Sequence, residues 1–465
     1  MLELLRMCGY EEGEMERELP RIREVFTRLD IGDEDIKQAR DRLLTYYDME
    51  LTGVRKIMGL FLKEFVNMNL ARDEGRTKII HSCMAPGIEI LGSAIMSHSR
   101  DVGLINPNFI FMVVMGCAFG KFVHILEAAE RQWLRSGIIA HCGMVKTRLG
   151  ILALDMVPRP DMTVTTGFTC ETSTKTNELI EAFYGIPAFY IDTCQDRELR
   201  EYPDASRTIG LAAKSMRKFG RVIQRETGFD ITDAMLWEAL RAREPFERAM
   251  GRLLKLIRKS DPMPIGTTHL NILSVLGSIP FRPTDLTSAV SALDILYDEL
   301  EARVRKGIGI TTKGAPRLLA ILPNHQSDPR LEFLANQMGI AIVASDFEFS
   351  TRGRPADNGG AVRDPYEVIM SHLHGSLAQS LGGRIPVILE ACRRLRIDGA
   401  LDHYHVGCRD VAGDAMAIKD SLIKELGIPV LMFEWENFDP RVYNHEEYKS
   451  KLEIFKSMME RNEKG

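Results

Sequence analysis

The chain has 465 residues, of which 45% are hydrophobic and 27% charged, and its formal net charge is -5. This length exceeds one ordinary hydrophobic core and predicts two or three domains. The weakly acidic balance excludes the strongly basic face of a nucleic-acid binding protein, so no nucleic-acid partner is expected.

The amino terminus and the longest apolar run give no sign of export or membrane insertion. The first residues, MLELLRMCGYEEGEMERELPR, lack an apolar signal-peptide core, which predicts a cytoplasmic location. The run NPNFIFMVVMGCAFGKFVHIL is interrupted by Gly116, Gly120 and Lys121. It is too short for a membrane span, so we expect a buried element and no membrane partner.

The predicted elements divide the chain into four regions. Residues 1–78 have helical spacing of apolar residues, and residues 79–224 change to short apolar runs that predict a Rossmann-like α/β domain. Strands are predicted there at SGIIAHC, DMTVTTGFTC and IPAFYIDT. Residues 225–310 predict a helical connector, and residues 311–465 a second Rossmann-like domain that ends in an amphipathic helix. Strands that alternate with helices imply parallel sheets with right-handed crossovers.

Two stretches share one layout of strand, cysteine, helix, Gly-Ile-Pro and strand. They are DMTVTTGFTCETSTKTNELIEAFYGIPAFYIDT at 161–193 and ALDHYHVGCRDVAGDAMAIKDSLIKELGIPVLMFE at 400–434. Gly185 and Gly427 are predicted to end the helices, and the prolines after them prevent continuation. The repeat suggests two similar domains.

Cys142, Cys170 and Cys408 each fall where a predicted strand gives way to a helix. Ligands of open parallel sheets bind at this edge, and a helix N-terminus favours a thiolate over a thiol. The three thiols could therefore meet at one metal cluster in a cleft between the domains, with a fourth iron left without a protein cysteine.

The alternative is that free cysteines are small buried hydrophobic residues. We expect this of the remaining five: Cys8 (in a mobile beginning), Cys83, Cys117, Cys194 and Cys392. The sequence contains no CxxC pair, which excludes a zinc knuckle and a ferredoxin-type run. On spacing alone, both interpretations of Cys142, Cys170 and Cys408 stay open.

Three segments resemble the catalytic subunits of the 2-hydroxyacyl-CoA dehydratase / benzoyl-CoA reductase family. They are HCGMVKTRLG with PRPDMTVTTGFTCETSTKTNELIEAFYGIP, then FRPTDLTSAVSALDILYDELEARVRKG with GAPRLLAILPN, and finally HYHVGCRDVAGDAMAIKDSLIKELGIPVLMFEWENFDPRVYNHEEYKSKLEIF. Together they span residues 80 to 465. The family's acidic pair near the end reads EWENFD here, with Trp435 inserted, and the loop after IAIVASD reads FEFSTRGRP.

The resemblance implies a [4Fe-4S] cluster on Cys142, Cys170 and Cys408, a CoA thioester substrate and radical chemistry at the thioester carbonyl. It also implies a related second catalytic subunit and an ATP-hydrolysing iron–sulfur activator protein. The first segment resembles the larger reductase subunits more than the dehydratases, which favours dearomatisation of benzoyl-CoA or another aromatic acyl-CoA. The first alternative is dehydration of an (R)-2-hydroxyacyl-CoA. The second alternative is that the chain is a non-catalytic, cluster-carrying electron-transfer subunit.

Four further residues are candidates for the site. His405, near Cys408, is a candidate proton donor, and one of His403, Tyr404 and His405 is expected in the core because they alternate along a strand. Glu89 resembles a family position near the substrate entrance, and otherwise flanks a helix. Lys146 and Arg148 are candidates for binding coenzyme A, the alternative being solvated helix charges. No G-x-G-x-x-G or Walker loop is present, so no direct ATP or NAD site is expected, and nothing marks a flavin.

Overall fold

The computed structural model describes residues 1–85, 87–133, 142–167, 170–192, 206–321, 327–346, 364–371, 381–405, 408–436 and 438–462. Over these ranges the chain forms two four-stranded sheets, each wholly parallel, together with many helices. The predicted α/β class is therefore confirmed. The predicted domain boundaries at 78, 224 and 310 stay predictions, and the second falls inside the helix Ser206–Thr227.

The described helices include those predicted in the N-terminal region, after Cys142, Cys170 and Cys408, in the connector and at the C-terminus. In chain order they are α1 (Leu2–Met7), α2 (Glu12–Arg28), α3 (Asp33–Tyr46), α4 (Thr52–Asn69), α5 (Ile88–His98), α6 (Pro107–Phe111), α7 (Phe122–Trp133), α8 (Gly143–Ala153), α9 (Glu171–Tyr184), α10 (Ser206–Thr227), α11 (Asp233–Lys259), α12 (Thr267–Leu276), α13 (Pro283–Arg305), α14 (Arg330–Gln337), α15 (Pro365–Ser371), α16 (Leu381–Leu395), α17 (Arg409–Leu426) and α18 (His445–Asn462). A π-helix (Met112–Ala118) follows α6, and a short 3-10 helix (Pro440–Val442) precedes α18.

The first sheet consists of β1 (Lys78–Ser82), β2 (Val102–Ile105), β3 (Met162–Thr165) and β4 (Ala188–Tyr190), in the order β2-β1-β3-β4. Ile80 of β1 pairs with Leu104 of β2 and with Met162 of β3. Strands β2 and β3 are buried along their whole length, as expected for parallel strands covered by helices on both faces. The strand predicted at 136–142 lies mostly outside the described residues.

The second sheet consists of β5 (Arg317–Ile321), β6 (Ala341–Ser345), β7 (Gly399–Tyr404) and β8 (Val430–Glu434), in the order β6-β5-β7-β8. This is the strand order of the first sheet, which supports the repeat seen in the sequence. In both halves the helix before the last strand ends at a glycine in the left-handed region, Gly185 at φ 68° and Gly427 at φ 67°. Glycine adopts this conformation without the steric cost that a Cβ brings.

The strand order places a topological switch point at the same place in each sheet. From β1 the chain crosses to β2 on one side, and it later continues from β3 to β4 on the other side. The loops after β1 and β3 therefore lead in opposite directions and leave a crevice at the carboxyl edge, and the loops after β5 and β7 do the same. Cys170 follows β3 and Cys408 follows β7, so each lies at its sheet's switch point.

The N-terminal helices and the connector helices pack into a common core that also reaches both sheets. Helices α4 and α13 approach so closely that a Cβ on Gly53 would lie 2.4 Å from the Cβ of Leu296. Helix α18 covers the second sheet with Tyr448, Leu452, Phe455 and Met459, which recur at helical spacing and are buried. The C-terminal amphipathic helix is thus confirmed.

The longest apolar run forms α6, the π-helix and the start of α7. Its residues 110 to 115 are buried inside the protein, as the sequence predicts. In the part of the chain that the structure describes, no helix combines the length and apolar character needed to cross a bilayer.

Candidate active site

Each of the three candidate cysteines is the N-cap residue of a helix. Cys142 precedes α8, Cys170 precedes α9 and Cys408 precedes α17, all with extended backbone dihedrals. An N-cap residue stands outside the helical turn, and unpaired backbone N–H groups follow it. The predicted position of the thiols at helix N-termini is therefore confirmed, while residues 168–169 and 406–407 of the preceding loops lie outside the described part.

Cys142 and Cys170 are brought together at one hydroxyl group. The Thr172 Oγ1 atom lies 3.9 Å from Cys142 Sγ and 3.1 Å from Cys170 Sγ. Burial raises the pKa of the Cys142 thiol, and the Glu436 carboxylate and Cys170 raise it further. That the helix N-terminus favours a thiolate at Cys142 stays a prediction, and burial of the thiol acts against it.

Glu436 joins the loop of Cys142 to the loop of Cys408. Its Oε1 accepts hydrogen bonds from the backbone N–H groups of Gly143, at 2.9 Å, and Phe438, at 3.2 Å. Its Oε2 lies 2.7 Å from Nε2 of His405, whose carbonyl oxygen accepts the N–H of Cys408 at 2.9 Å. One carboxylate thus connects the helix N-terminus next to Cys142 with the turn that leads into Cys408.

Gly143 is required at this junction because the chain after β8 lies directly on it. A Cβ at Gly143 would be 2.6 Å from the carbonyl oxygen of Phe438 and 2.8 Å from its Cβ. Contacts this short do not occur for a real Cβ, so any larger residue would push the two segments apart. The close approach brings Glu436 within reach of the Gly143 amide.

A ring of charged residues surrounds this junction on its outer side. Arg441 forms two hydrogen bonds with Glu130, of 3.0 and 2.7 Å, and contacts Asp439 at 2.6 Å. Lys146 Nζ lies 2.8 Å from Glu130 and 4.0 Å from Asp439. Arg441, followed by Lys146, lowers the pKa of Glu130 to about 2. Lys146, a candidate for coenzyme A binding, is thus engaged in this ring, and its predicted role stays a prediction.

Arg148 braces the two helices that present Cys142 and Cys170. Its side chain is buried, Nη1 donates to the carbonyl oxygen of Ser173 at 3.0 Å, and Nη2 donates to Asn177 Oδ1. The interpretation of Arg148 as a solvated helix charge is therefore wrong. A role in substrate binding stays a prediction.

His405 and Glu89 lie at the carboxyl edges of the two sheets. His405 follows β7, and its side chain is mostly buried against Glu436. His403 is the predicted core residue of the strand, since it is 1% exposed and stacks on Phe433 with ring centroids 5.9 Å apart. Glu89 lies in the first turn of α5 and is half-buried. The roles predicted for His405 and Glu89 stay predictions.

Four other cysteines behave as small hydrophobic residues. Their residue exposures are 4% or less, namely Cys8, Cys83, Cys117 and Cys392. Burial raises the pKa of Cys8, Cys117 and Cys392 to about 12. The expectation of a mobile beginning at Cys8 is wrong, because this residue caps α1 and belongs to the main core. Cys194 lies outside the described residues.

A buried group of charges at the second sheet was not predicted from the sequence. Arg384, in the first turn of α16, donates to Asp346 Oδ2 at 2.8 and 2.9 Å and to Asp414 at 3.2 Å. Nearby Asp402 of β7 is buried, and neither of its carboxyl oxygens has a hydrogen-bond partner among the described residues. Burial raises the pKa of Asp402 to about 7, with Arg384 acting against it. The alternation of LDHYH could have shown that Asp402 lies on the face opposite His403.

The described side chains do not form a site for a single metal ion. No three His, Cys, Asp or Glu side chains in the described ranges are grouped closely enough to hold one. A four-iron cluster makes a different demand, because each thiolate binds a separate iron and the thiols need not meet at a point.

These features define the class of the protein as α/β with two parallel sheets. Thiols lie at helix N-termini, and Cys170 and Cys408 follow strands at the edge where such sheets bind ligands. The chain belongs to the family described as 2-hydroxyglutaryl-CoA dehydratase, D-component, whose sequence model matches residues 107–459. This confirms the resemblance found in the sequence. The matched region includes Cys142, Cys170 and Cys408.

Two relatives of known activity are similar to the chain. A benzoyl-CoA reductase subunit of Thauera aromatica is 23% identical over 351 residues, which cover 70% of this chain and 78% of that protein. The alpha subunit of (R)-2-hydroxyglutaryl-CoA dehydratase of Acidaminococcus fermentans is 29% identical over 68 residues, 15% of this chain and 14% of that protein. Both names denote enzymes that act on coenzyme A thioesters, and both relatives are single subunits of those enzymes.

Proposed function

We propose that the chain is a catalytic subunit of an enzyme acting on a CoA thioester, and that Cys142, Cys170 and Cys408 bind a [4Fe-4S] cluster. The observation that carries the proposal is the Glu436 bridge, which ties the Gly143 amide beside Cys142 to His405 beside Cys408. Thr172 brings Cys170 to the same place. These contacts support a common site for Cys142 and Cys170, which cap the helices before and after β3, and Cys408, which follows β7.

Cysteine thiols at helix N-termini fit a [4Fe-4S] cluster. Thiolates are the usual protein ligands of iron–sulfur clusters, and helix N-termini support the charge that they carry when bound. Cys170 and Cys408 are partly exposed and Cys142 is buried at 7% exposure, whereas the four other described cysteines, Cys8, Cys83, Cys117 and Cys392, are 4% exposed or less. Three thiols leave one iron for a ligand that is not a protein thiolate.

A [4Fe-4S] cluster, when bound, supplies single electrons and an iron that acts as a Lewis acid towards a substrate oxygen. The chain's own residues hold the site in shape: Arg148 fixes α8 against α9, and Glu436 fixes the loops of both sheets. His405 is the candidate proton donor, and its ring is oriented by the 2.7 Å contact with Glu436. Glu89 is a second candidate catalytic residue, and Lys146 and Arg148 are the candidates for binding the substrate.

Reduction of an aromatic acyl-CoA such as benzoyl-CoA is the favoured reaction. The similarity to the benzoyl-CoA reductase subunit extends over 351 residues, whereas the similarity to the dehydratase alpha subunit covers 68. Dehydration of an (R)-2-hydroxyacyl-CoA is the second candidate, favoured by the family match. A related second subunit, an ATP-hydrolysing iron–sulfur activator and a cytoplasmic location complete the proposal.

Iron analysis of the anaerobically purified protein tests the cluster. The wild type should be brown and contain about four irons per chain. Cys142→Ala, Cys170→Ala and Cys408→Ala should each lose iron, while the buried Cys392→Ala should keep it. A colourless, iron-free wild type contradicts the cluster, and loss of iron in Cys392→Ala contradicts the choice of ligands.

Activity with the co-purifying subunit, an activator, ATP and a reductant tests the reaction. ATP-dependent consumption of benzoyl-CoA supports the reductase, and dehydration of a 2-hydroxyacyl-CoA supports the second candidate. A protein that holds iron and exchanges electrons, but turns over neither thioester, would instead be a cluster-carrying electron-transfer subunit.

A further inference from the structure

The Glu436 side chain contacts the first residue of α8, next to Cys142, and His405, three residues before Cys408. In the sequence, Glu436 is 293 residues from Gly143, whose N–H it accepts. Its side chain is 13% exposed and that of His405 is 16% exposed, so the contacts are largely shielded from water. Charge-assisted hydrogen bonds in such a place are stronger and geometrically more restrictive than those on a surface.

The carboxylate uses both of its oxygens, and they have different tasks. Oε1 accepts two backbone N–H groups, from Gly143 and Phe438, and these bonds fix the start of α8 relative to the chain after β8. Oε2 contacts the ring of His405, and the backbone of His405 receives the N–H of Cys408. A shift of the carboxylate would therefore move the cysteine loop of one sheet relative to the loop of the other.

We propose that Glu436 is a positioning residue, which sets the separation between the Cys142 loop and the Cys408 loop and so determines how firmly the three thiols hold their cluster. The inference rests on the proposed function, because it concerns the same cluster. Partners behind the ligands of a metal site control affinity, and their loss typically weakens binding by about 10- to 100-fold.

The test compares variants at Glu436 with a matched control on the same segment. Glu436→Ala removes every contact. Glu436→Gln keeps an oxygen that accepts the two backbone N–H groups and gains an amide N–H that can donate to Nε2 of a neutral His405 ring. Glu436→Asp keeps the charge but is one methylene too short to reach both loops. Glu434→Ala is the control, since Glu434 is an exposed acid at the end of β8.

Three readouts are measured on full-length protein: iron release to a chelator, the electron paramagnetic resonance spectrum of the reduced cluster, and hydrogen exchange of the iron-free protein. We expect Glu436→Ala and Glu436→Asp to release iron about 10- to 100-fold faster, with an altered spectrum. Glu436→Gln should restore release to nearly the wild-type rate, and Glu434→Ala should match the wild type. In the iron-free protein, the amide of Gly143 should exchange faster in Glu436→Ala than in Glu436→Gln.

The possible failures are distinct. A wild type without iron overturns the proposed function and this inference with it. A wild type with iron, together with Glu436→Asp that releases iron at the wild-type rate with an unchanged spectrum, overturns the positioning role alone. The Asp variant decides the matter if Glu436→Ala does not fold. Equally fast iron release from Glu434→Ala also overturns the positioning role. The effect would then come from any change near the end of β8 and not from the contacts of Glu436.

Discussion

Arg441 and Glu130 form a bidentate ion pair with hydrogen bonds of 3.0 and 2.7 Å, although 311 residues separate them in the sequence. Glu130 belongs to α7, near the first sheet, and Arg441 to the short helix after β8 of the second sheet. The pair connects α7 to the segment that follows Glu436. Both side chains are about one-third exposed, at 34% and 31%, so solvent screens part of their attraction.

Replacement of Arg441 by Ala should weaken the junction in a salt-dependent way. The variant loses contacts to Glu130 and Asp439 and should unfold about 1 kcal/mol more easily at low ionic strength, with a smaller difference in 1 M salt. Urea denaturation at both salt concentrations measures this. Arg131→Ala is the control, because it breaks an exposed pair within α7 and should change the free energy of unfolding little. Equal effects in the two variants would contradict a joining role for Arg441.

Gly143→Ala should separate the two halves of the site. The added Cβ meets the backbone of Phe438 at 2.6 Å, and relief of this overlap should cost about 1–3 kcal/mol. Thermal unfolding and iron content measure the result. Gly413→Ala, in the helix that follows Cys408, is the matched control. Its Cβ meets nothing within 4 Å, and it should stabilise the protein by about 0.5–1 kcal/mol. A Gly143→Ala variant as stable as wild type contradicts the close packing.

Arg148→Ala should destabilise the helix pair that carries Cys142 and Cys170. It removes a buried guanidinium and leaves the polar groups of Ser173 and Asn177 without their donor, at a cost of about 3 kcal/mol. Chemical denaturation tests this, and Arg159→Ala serves as the control because its pair with Asp155 is exposed. If Arg148→Ala lowers the free energy of unfolding as little as Arg159→Ala does, the contacts of Arg148 do not stabilise the helix pair.

Asp402→Asn should stabilise the protein at alkaline pH more than at acidic pH. The pKa of Asp402 is raised to about 7 from 3.8, so the folded state keeps the proton that the unfolded chain releases near pH 4. The contribution of Asp402 to the free energy of unfolding is therefore greatest below pH 4. It declines as the pH rises to 7 and stays constant above that pH. The decline amounts to up to about 4 kcal/mol, which Asn avoids.

The measurement is the difference in free energy of unfolding between Asp402→Asn and the wild type at pH 5 and pH 8. That difference should favour the variant more at pH 8. Asp420→Asn, an exposed residue of α17, is the control and should show no such change. A difference that is the same at both pH values contradicts a proton held by Asp402.

The sequence predicts those features that depend on local patterns. Patterns of neighbouring residues show the alternation of strands and helices, the helix-ending glycines at 185 and 427, and the cysteines at strand ends. The sheets and the N-cap positions of the thiols could therefore be predicted. Bonds between remote segments could not: EWENFD showed an acidic residue after a strand, but nothing local reveals that Glu436 reaches Gly143. The burial of Arg148 could not be predicted either, because the sequence does not show which helix packs against it.

The equal strand orders of the two sheets show how the fold departs from a simple doubling. Cys170 and Cys408 occupy matching places after the third strand of each sheet. Helices α8 and α16 also match, since each leads into that third strand. Helix α8 begins directly after Cys142, whereas α16 has Arg384 in its first turn, and its cysteine, Cys392, lies further along the helix. One half therefore carries two of the three proposed ligands, and the other carries one, together with a buried guanidinium. A pseudo-symmetric scaffold that repeated both positions would offer four thiols, and the broken symmetry leaves an odd number.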